Sequence, residues 1–149
     1  IRDRVPRLNQ AKINYRILIC GVQIKPNWEA QLLGCSTIIY KGFVENIQLY
    51  NQGTDCFISP ITLGAGVKTK IIDAIAANQM VIACKKSCDG LNQSMLNKQL
   101  IIIDDYHWDG FASAMIQISV TEIPQTPIAF YKAYNWANIV RESILYLPK

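Results

Sequence analysis

Two glycines, two lysines and an aspartate lie close together in the run Gly64-Ala65-Gly66-Val67-Lys68-Thr69-Lys70, with Asp73 just beyond it. The run follows an apolar stretch, Phe57-Ile58-Ser59. It leads into apolar positions Val67, Ile71, Ala74 and Ile75, whose steps of three and four predict one buried helix face. The first turn of such a helix leaves backbone N–H groups free and carries a partial positive charge. Glycines there let an anion come close to the backbone. Lys68 and Lys70 add full charges. The carboxylate of Asp73 is an acceptor only, suited to two hydroxyl donors such as those of a ribose. These residue types in this order point to a site for an anionic nucleotide. The plainer alternatives are a tight turn with solvated lysines, and an Asp73 paired with a lysine on a solvated helix face.

The loop is neither of the two common phosphate fingerprints. A Walker A motif needs four residues between its glycines and a Gly-Lys-Ser/Thr ending. In the dinucleotide fingerprint a third glycine would stand where Thr69 is.

The elements that must position this loop are legible from apolar runs and their punctuation. Tyr15 to Cys20, Ser36 to Tyr40, Cys56 to Ser59, Met80 to Cys84 and Leu100 to Ile103 read as five buried strands. Between and after them, Pro26 to Leu33, Glu45 to Gln52, Val67 to Asn78 and His107 to Ile118 read as helices. A last helix is expected over 128–147, with Trp136, Ile139, Val140, Ile144 and Leu147 on one face. Strands apolar throughout and alternating with helices imply a parallel sheet covered on both faces. The fold class is therefore α/β, a Rossmann-like three-layer sandwich with a parallel sheet of about five strands. Ligands of such sheets bind beyond the carboxyl ends of the strands. That rim would gather Gly21, Gly42, the loop from Ser59 to Gly66, and Asp89-Gly90.

Composition narrows the function classes. With 149 residues, half of them hydrophobic and only 17% charged, the chain can bury a core and is not a disordered segment. No window of 18 consecutive apolar residues occurs, so a membrane-spanning helix is not expected. The net charge of +4 is scattered rather than gathered with aromatics, which argues against nucleic acid as a partner. A basic face is compatible with peripheral contact to an anionic membrane. The five cysteines (Cys20, Cys35, Cys56, Cys84, Cys88) include no C-x-x-C pair and suggest reduced thiols in a cytoplasmic protein, with no metal site. The lone histidine, His107, reads as solvent-facing at a helix start. Asp104-Asp105 reads as a polar strand end, and the tryptophans as core. No nucleophile–histidine pairing is arguable, so no catalytic residue is assigned.

Several segments together resemble a known family. Ile19-Cys20-Gly21, Tyr40-Lys41-Gly42-Phe43-Val44, Asp55 to Pro60, Gly64 to Ala76 and Asp89-Gly90-Leu91 are similar, in order and spacing, to the C-terminal half of family-4 retaining glycosyltransferases. The resemblance implies half of a GT-B fold. In that fold the C-terminal domain binds a nucleoside-diphosphate sugar, and an N-terminal domain, absent from residues 1–149, supplies most of the acceptor site. It also implies that the first strand of the domain is missing and that the helix over 128–147 faces the absent domain. By resemblance, Gly42, Phe43 and Val44 would meet the nucleobase, and Gly66, Val67, Lys68 and Thr69 would offer N–H groups to the diphosphate. Gly21 and Gly64 would complete the donor site, and Asp73 would hold the ribose. Family members usually place glutamate at position 73, and many place glutamate where this chain has Ala65. The implied activity is sugar transfer, with retention, to a glycan or lipid-linked acceptor, without a cofactor or metal. The fragment alone would be inactive. Two alternatives are a nucleotide-sugar epimerase domain of the same fold and a non-catalytic binding module.

Overall fold

The computed structural model describes residues 8, 10, 12–96, 99–118, 122 and 125–146. The chain divides into two compact units, Ile1–Tyr50 and Asn51–Lys149. All five expected strands form, and every pairing is parallel. They are hydrogen-bonded as one sheet of two strands and one of three.

In the first unit, β1 (Ile17–Cys20) pairs with β2 (Ile38–Gly42). Between them runs α1 (Pro26–Leu33). Proline opens it, where a missing N–H is harmless, and Gly34 closes it. After β2 comes α2 (Ile47–Gln52), which crosses the boundary between the units. Pairing runs from Ile17↔Ile38 to Ile19↔Tyr40 and then jumps to Cys20↔Gly42. Lys41 is thus an extra residue, a bulge that turns the end of β2.

In the second unit the strand order is β3 (Cys56–Ser59), β4 (Met80–Cys84), β5 (Leu100–Ile103). The helix α3 (Thr69–Ala76) connects β3 to β4, and α4 (Trp108–Ile118) follows β5. Every residue of the central strand β4 is buried. Side chains of a strand alternate between faces. Accordingly Val81 and Ala83 pack with Ile71, Ala74 and Ile75 of α3. Met80, Ile82 and Cys84 pack with Phe111, Ala114 and Ile118 of α4. This is the expected three-layer, Rossmann-like arrangement, in which burial of each large aliphatic side chain contributes about 1.5–3 kcal/mol.

The single last helix expected over 128–147 is two helices, α5 (Ile128–Ala133) and α6 (Trp136–Ile144); Leu147 lies outside the described residues. The break has a local cause. The Asn135 side chain accepts from the amides of Ala137 and Asn138 at 3.0 and 3.3 Å, so it caps a new helix instead of continuing the old one. Phe130 anchors α5 in the core, and the Tyr131 hydroxyl donates to the Ala76 carbonyl at 2.9 Å. No residue of α6 is buried. Two of the tryptophans expected in the core are surface residues, Trp28 at 57% and Trp136 at 75% exposed. Only Trp108 packs against a core cluster. Among the described residues no helix is long and apolar enough to cross a membrane.

Candidate functional site

The strand β3 ends at Ser59, and α3 starts at Thr69. The intervening loop carries the glycine–lysine run. Gly64 and Gly66 have φ of +92° and +78°, a region that side chains with a Cβ rarely adopt. The first helical amide with a partner is that of Ile71, bonded to the Lys68 carbonyl at 2.9 Å. No side chain caps α3. Among the described residues, the amides of Lys68, Thr69 and Lys70 have no partner and remain available.

Lys68 folds back over the loop. Its Nζ donates to the carbonyls of Ala65 and Gly66, each at 3.1 Å. In a trans peptide the C=O and the following N–H point in opposite directions. With both carbonyls turned to the ammonium, the N–H groups of Gly66 and Val67 are turned away from it. Two consecutive amides are thereby turned to the far side of the loop, where N–H dipoles favour an anion.

Beside the loop is a hollow of about 310 Å³ lined by Phe57 to Ile61 and by Val67 to Lys70. The structure therefore brings Val67, Lys68 and Thr69 together at one cavity, between the end of β3 and the start of α3. Gly64 and Gly66 shape the loop without lining the hollow. Asp73 lies further along α3, exposed and outside it, without a side-chain partner among the described residues.

The other expected donor contacts belong to the first unit. Gly21 and Gly42 are adjacent at the ends of β1 and β2, where the Gly21 amide donates to the Gly42 carbonyl at 2.7 Å. Both have positive φ, +145° and +63°. The Tyr40 hydroxyl also donates to the Gly21 carbonyl, at 2.9 Å. Phe43, beside Gly42, is 74% exposed, and Val44 is half-buried.

Sequence reasoning missed the support beneath the loop. A turn of 3-10 helix, Lys85–Cys88, follows β4. The fully buried Ser87 hydroxyl meets the Ser59 hydroxyl at 3.0 Å and the Ile61 carbonyl at 2.8 Å. Gly90, at φ +79°, abuts Val67 so closely that a Cβ would stand 2.7 Å from Val67 Cγ2. The Asp105 carboxylate accepts from the Lys86 amide at 2.9 Å, and the Lys86 ammonium pairs with Asp89 at 2.6 Å. The Asp89 carboxylate, as hydrogen-bond acceptor and neighbouring charge, raises the Lys86 pKa. Asp105 is thus engaged in closing a strand end, as expected for the Asp104-Asp105 pair. His107 is exposed. Among the described residues no group of three or more His, Cys, Asp or Glu is placed to hold a metal ion.

Comparison with known proteins gives one family. The model of the glycosyl transferases of group 1 matches residues 1–119, a span that includes both units' glycine turns and the whole of α3. No curated protein matches the chain. A match over 119 of 149 residues, on an α/β chain of parallel strands, places the chain in the group 1 glycosyltransferases.

Proposed function

We propose that the chain binds the sugar donor of that reaction, a nucleoside-diphosphate sugar, with the diphosphate at the loop between β3 and α3. The observation that carries this reading is the coincidence, in one loop, of unpartnered amides at the start of α3, the amides of Gly66 and Val67 turned away from the Lys68 ammonium, and the residues Val67 to Lys70 lining one hollow. Departure of a nucleoside diphosphate builds negative charge on phosphate oxygens, and fixed dipoles and cations there stabilise that charge without reorganising. Where protein dipoles and cations do this work no metal is needed, so the reading invokes no metal or cofactor. Asp73 would take the ribose hydroxyls, and Gly21, Gly42, Phe43 and Val44 would meet the base. Transfer would proceed with retention, from the donor to a glycan or lipid-linked acceptor presented by a facing N-terminal domain, in a cytoplasmic or membrane-associated polysaccharide pathway. The exposed apolar face of α6 would pack towards that domain.

Isothermal titration of UDP and GDP tests the core of the reading. Binding of at least one, weakened on the order of 30-fold by Lys68→Ala, is expected. Absence of binding by every nucleoside diphosphate at millimolar concentration would refute it. The same purified chain is expected to transfer no sugar by itself.

A further inference from the structure

We infer that the turn over residues 85–90 is a clamp for the donor loop, and that Ser87 and Gly90 are its positioning residues; the inference rests on the donor reading above. One buried hydroxyl serves three loop atoms. Ser87 Oγ accepts from Ser59 Oγ at 3.0 Å and lies 2.8 Å from the Ile61 carbonyl and 3.1 Å from the Ser59 carbonyl. A serine has a single proton to give, and the shorter contact assigns it to Ile61. The loop is therefore held where it leaves β3. At the other end it is held where it enters α3, because Gly90 lies against Val67 with no room for a Cβ. The clamp is itself fixed, since the Asp105 carboxylate holds the Lys86 amide at 2.9 Å.

Between the two grips stand Gly64 and Gly66, both at positive φ. Such a segment has more conformational freedom to lose than any other kind of backbone. If it were ordered only by the ligand, that entropy would weaken binding. Gripped at residues 59–61 and at 67, the loop holds its amides in place before a diphosphate arrives. Ser87 and Gly90 offer no group to the donor themselves and act through what they hold, Ser87 through Ser59 and Ile61 and Gly90 through the Val67 side chain.

The test uses Ser87→Ala and Gly90→Ala, with Ile118→Val as control. Ile118, the last residue of α4, is buried on the opposite face of the sheet from α3. UDP and GDP are titrated calorimetrically, and ¹⁵N relaxation of residues 62–68 is measured without ligand. Ser87→Ala is expected to weaken binding about fivefold, on the order of one neutral hydrogen bond. Gly90→Ala is expected to weaken it about tenfold, because Val67 must move and the alanine sits at positive φ. Both should raise fast motion at Gly64 to Val67. Ile118→Val should lower the melting temperature while leaving affinity and loop motion unchanged. Unchanged affinity and loop motion in Ser87→Ala overturn the clamp, as does an equal loss in Ile118→Val. If the parent chain binds neither nucleotide, the donor reading falls and the relaxation data alone decide: more motion upholds the clamp and unchanged motion overturns it. Should Ser87→Ala fail to fold, Ser59→Ala carries the same readouts, since it removes one partner of the Ser87 hydroxyl and spares the bond to Ile61.

Discussion

Replacing Lys68 by methionine keeps the aliphatic stem and removes only the ammonium. Two losses follow from its position. The loop loses the bonds to the Ala65 and Gly66 carbonyls, each 3.1 Å long. Both are open to solvent, so their joint net contribution is about 1 kcal/mol. A diphosphate on the outward amides would also lose a positive charge on the opposite side of one peptide layer, a separation on the order of 7 Å from standard backbone dimensions plus two contact distances. A unit charge pair at that distance is worth about 2.4 kcal/mol at an effective dielectric near 20, and about half of that where water reaches the site. The sum is about 2 kcal/mol, or about a 30-fold loss of nucleoside-diphosphate affinity. The two parts separate with salt. At an ionic strength of about 0.3 M the screening length falls to about 6 Å, below the charge separation. The Coulomb part should then fade, and the difference should narrow to about fivefold, which is the loop part alone. Calorimetric titration of UDP and GDP at low and high salt reads both numbers, and Lys68→Arg, which keeps the charge, should retain most of the affinity. A low-salt loss below threefold would refute the placement of the diphosphate beside this loop. A large loss that salt does not change would refute the division into brace and charge.

Asp73→Ala should weaken UDP or GDP binding about tenfold while leaving inorganic pyrophosphate unaffected, since a carboxylate further along α3 can reach a ribose but not the diphosphate; equal losses for both ligands would refute the ribose role. Burial pushes the thiols of Cys56 and Cys88 up to about 11. At pH 8 only about one in a thousand of either is thiolate, so alkylation followed by mass spectrometry should modify Cys35 first, whose pKa its hydrogen bonds to Thr37 lower. The same raised values make stability fall with pH: between about pH 9 and 11 the unfolded chain releases these two protons and the folded chain keeps them. Melting temperature should therefore drop from pH 8 to pH 10, and drop less in a Cys56→Ala, Cys88→Ala double variant. Ile75→Ala, at a fully buried position between α3 and β4, should lose about 2–5 kcal/mol in a denaturant titration.

The strands of the second unit were legible to the residue because nothing competes with burial there. Cys56 to Ser59, Met80 to Cys84 and Leu100 to Ile103 are short, mostly apolar runs bounded by polar residues or proline, and they form as read. The helix α3 was readable from its apolar stripe, but its ends were not. Its start is set by the turn of Lys68 into extended backbone, and it stops before Asn78, which sits at φ +60°. The last helix departs from its periodicity for a related reason. The apolar positions on either side of Asn135 keep a helical rhythm, but the side chain of that one residue satisfies two amides and restarts the helix. Periodicity reports which face is buried; it does not report which amide a neighbouring side chain has taken. Trp28 and Trp136 are exposed because size and apolarity set only a preference for burial, and large apolar residues remain common on surfaces.

The candidate site divides along the same line. Residue types that act through backbone freedom or charge announce themselves locally, which is why Gly64, Gly66, Lys68 and Lys70 could be singled out from their spacing alone. What the loop does with them is decided elsewhere in the chain. Ser59 and Ser87 are 28 positions apart, and Ser87 lies in an unremarkable Lys85-Lys86-Ser87-Cys88 stretch with no pattern of its own. Gly90 could be noticed as a turn residue, but not as the surface against which Val67 rests. The direction of the Lys68 ammonium was equally hidden. From spacing it reads as a cation aimed at a ligand, whereas in the fold it first holds two carbonyls of its own loop. A loop containing two left-handed glycines cannot encode its own shape, because glycine restricts the backbone least. Its shape must come from contacts made by sequence-distant residues. On the proposed donor reading, affinity would depend first on what holds the loop, and only then on the charges beside it.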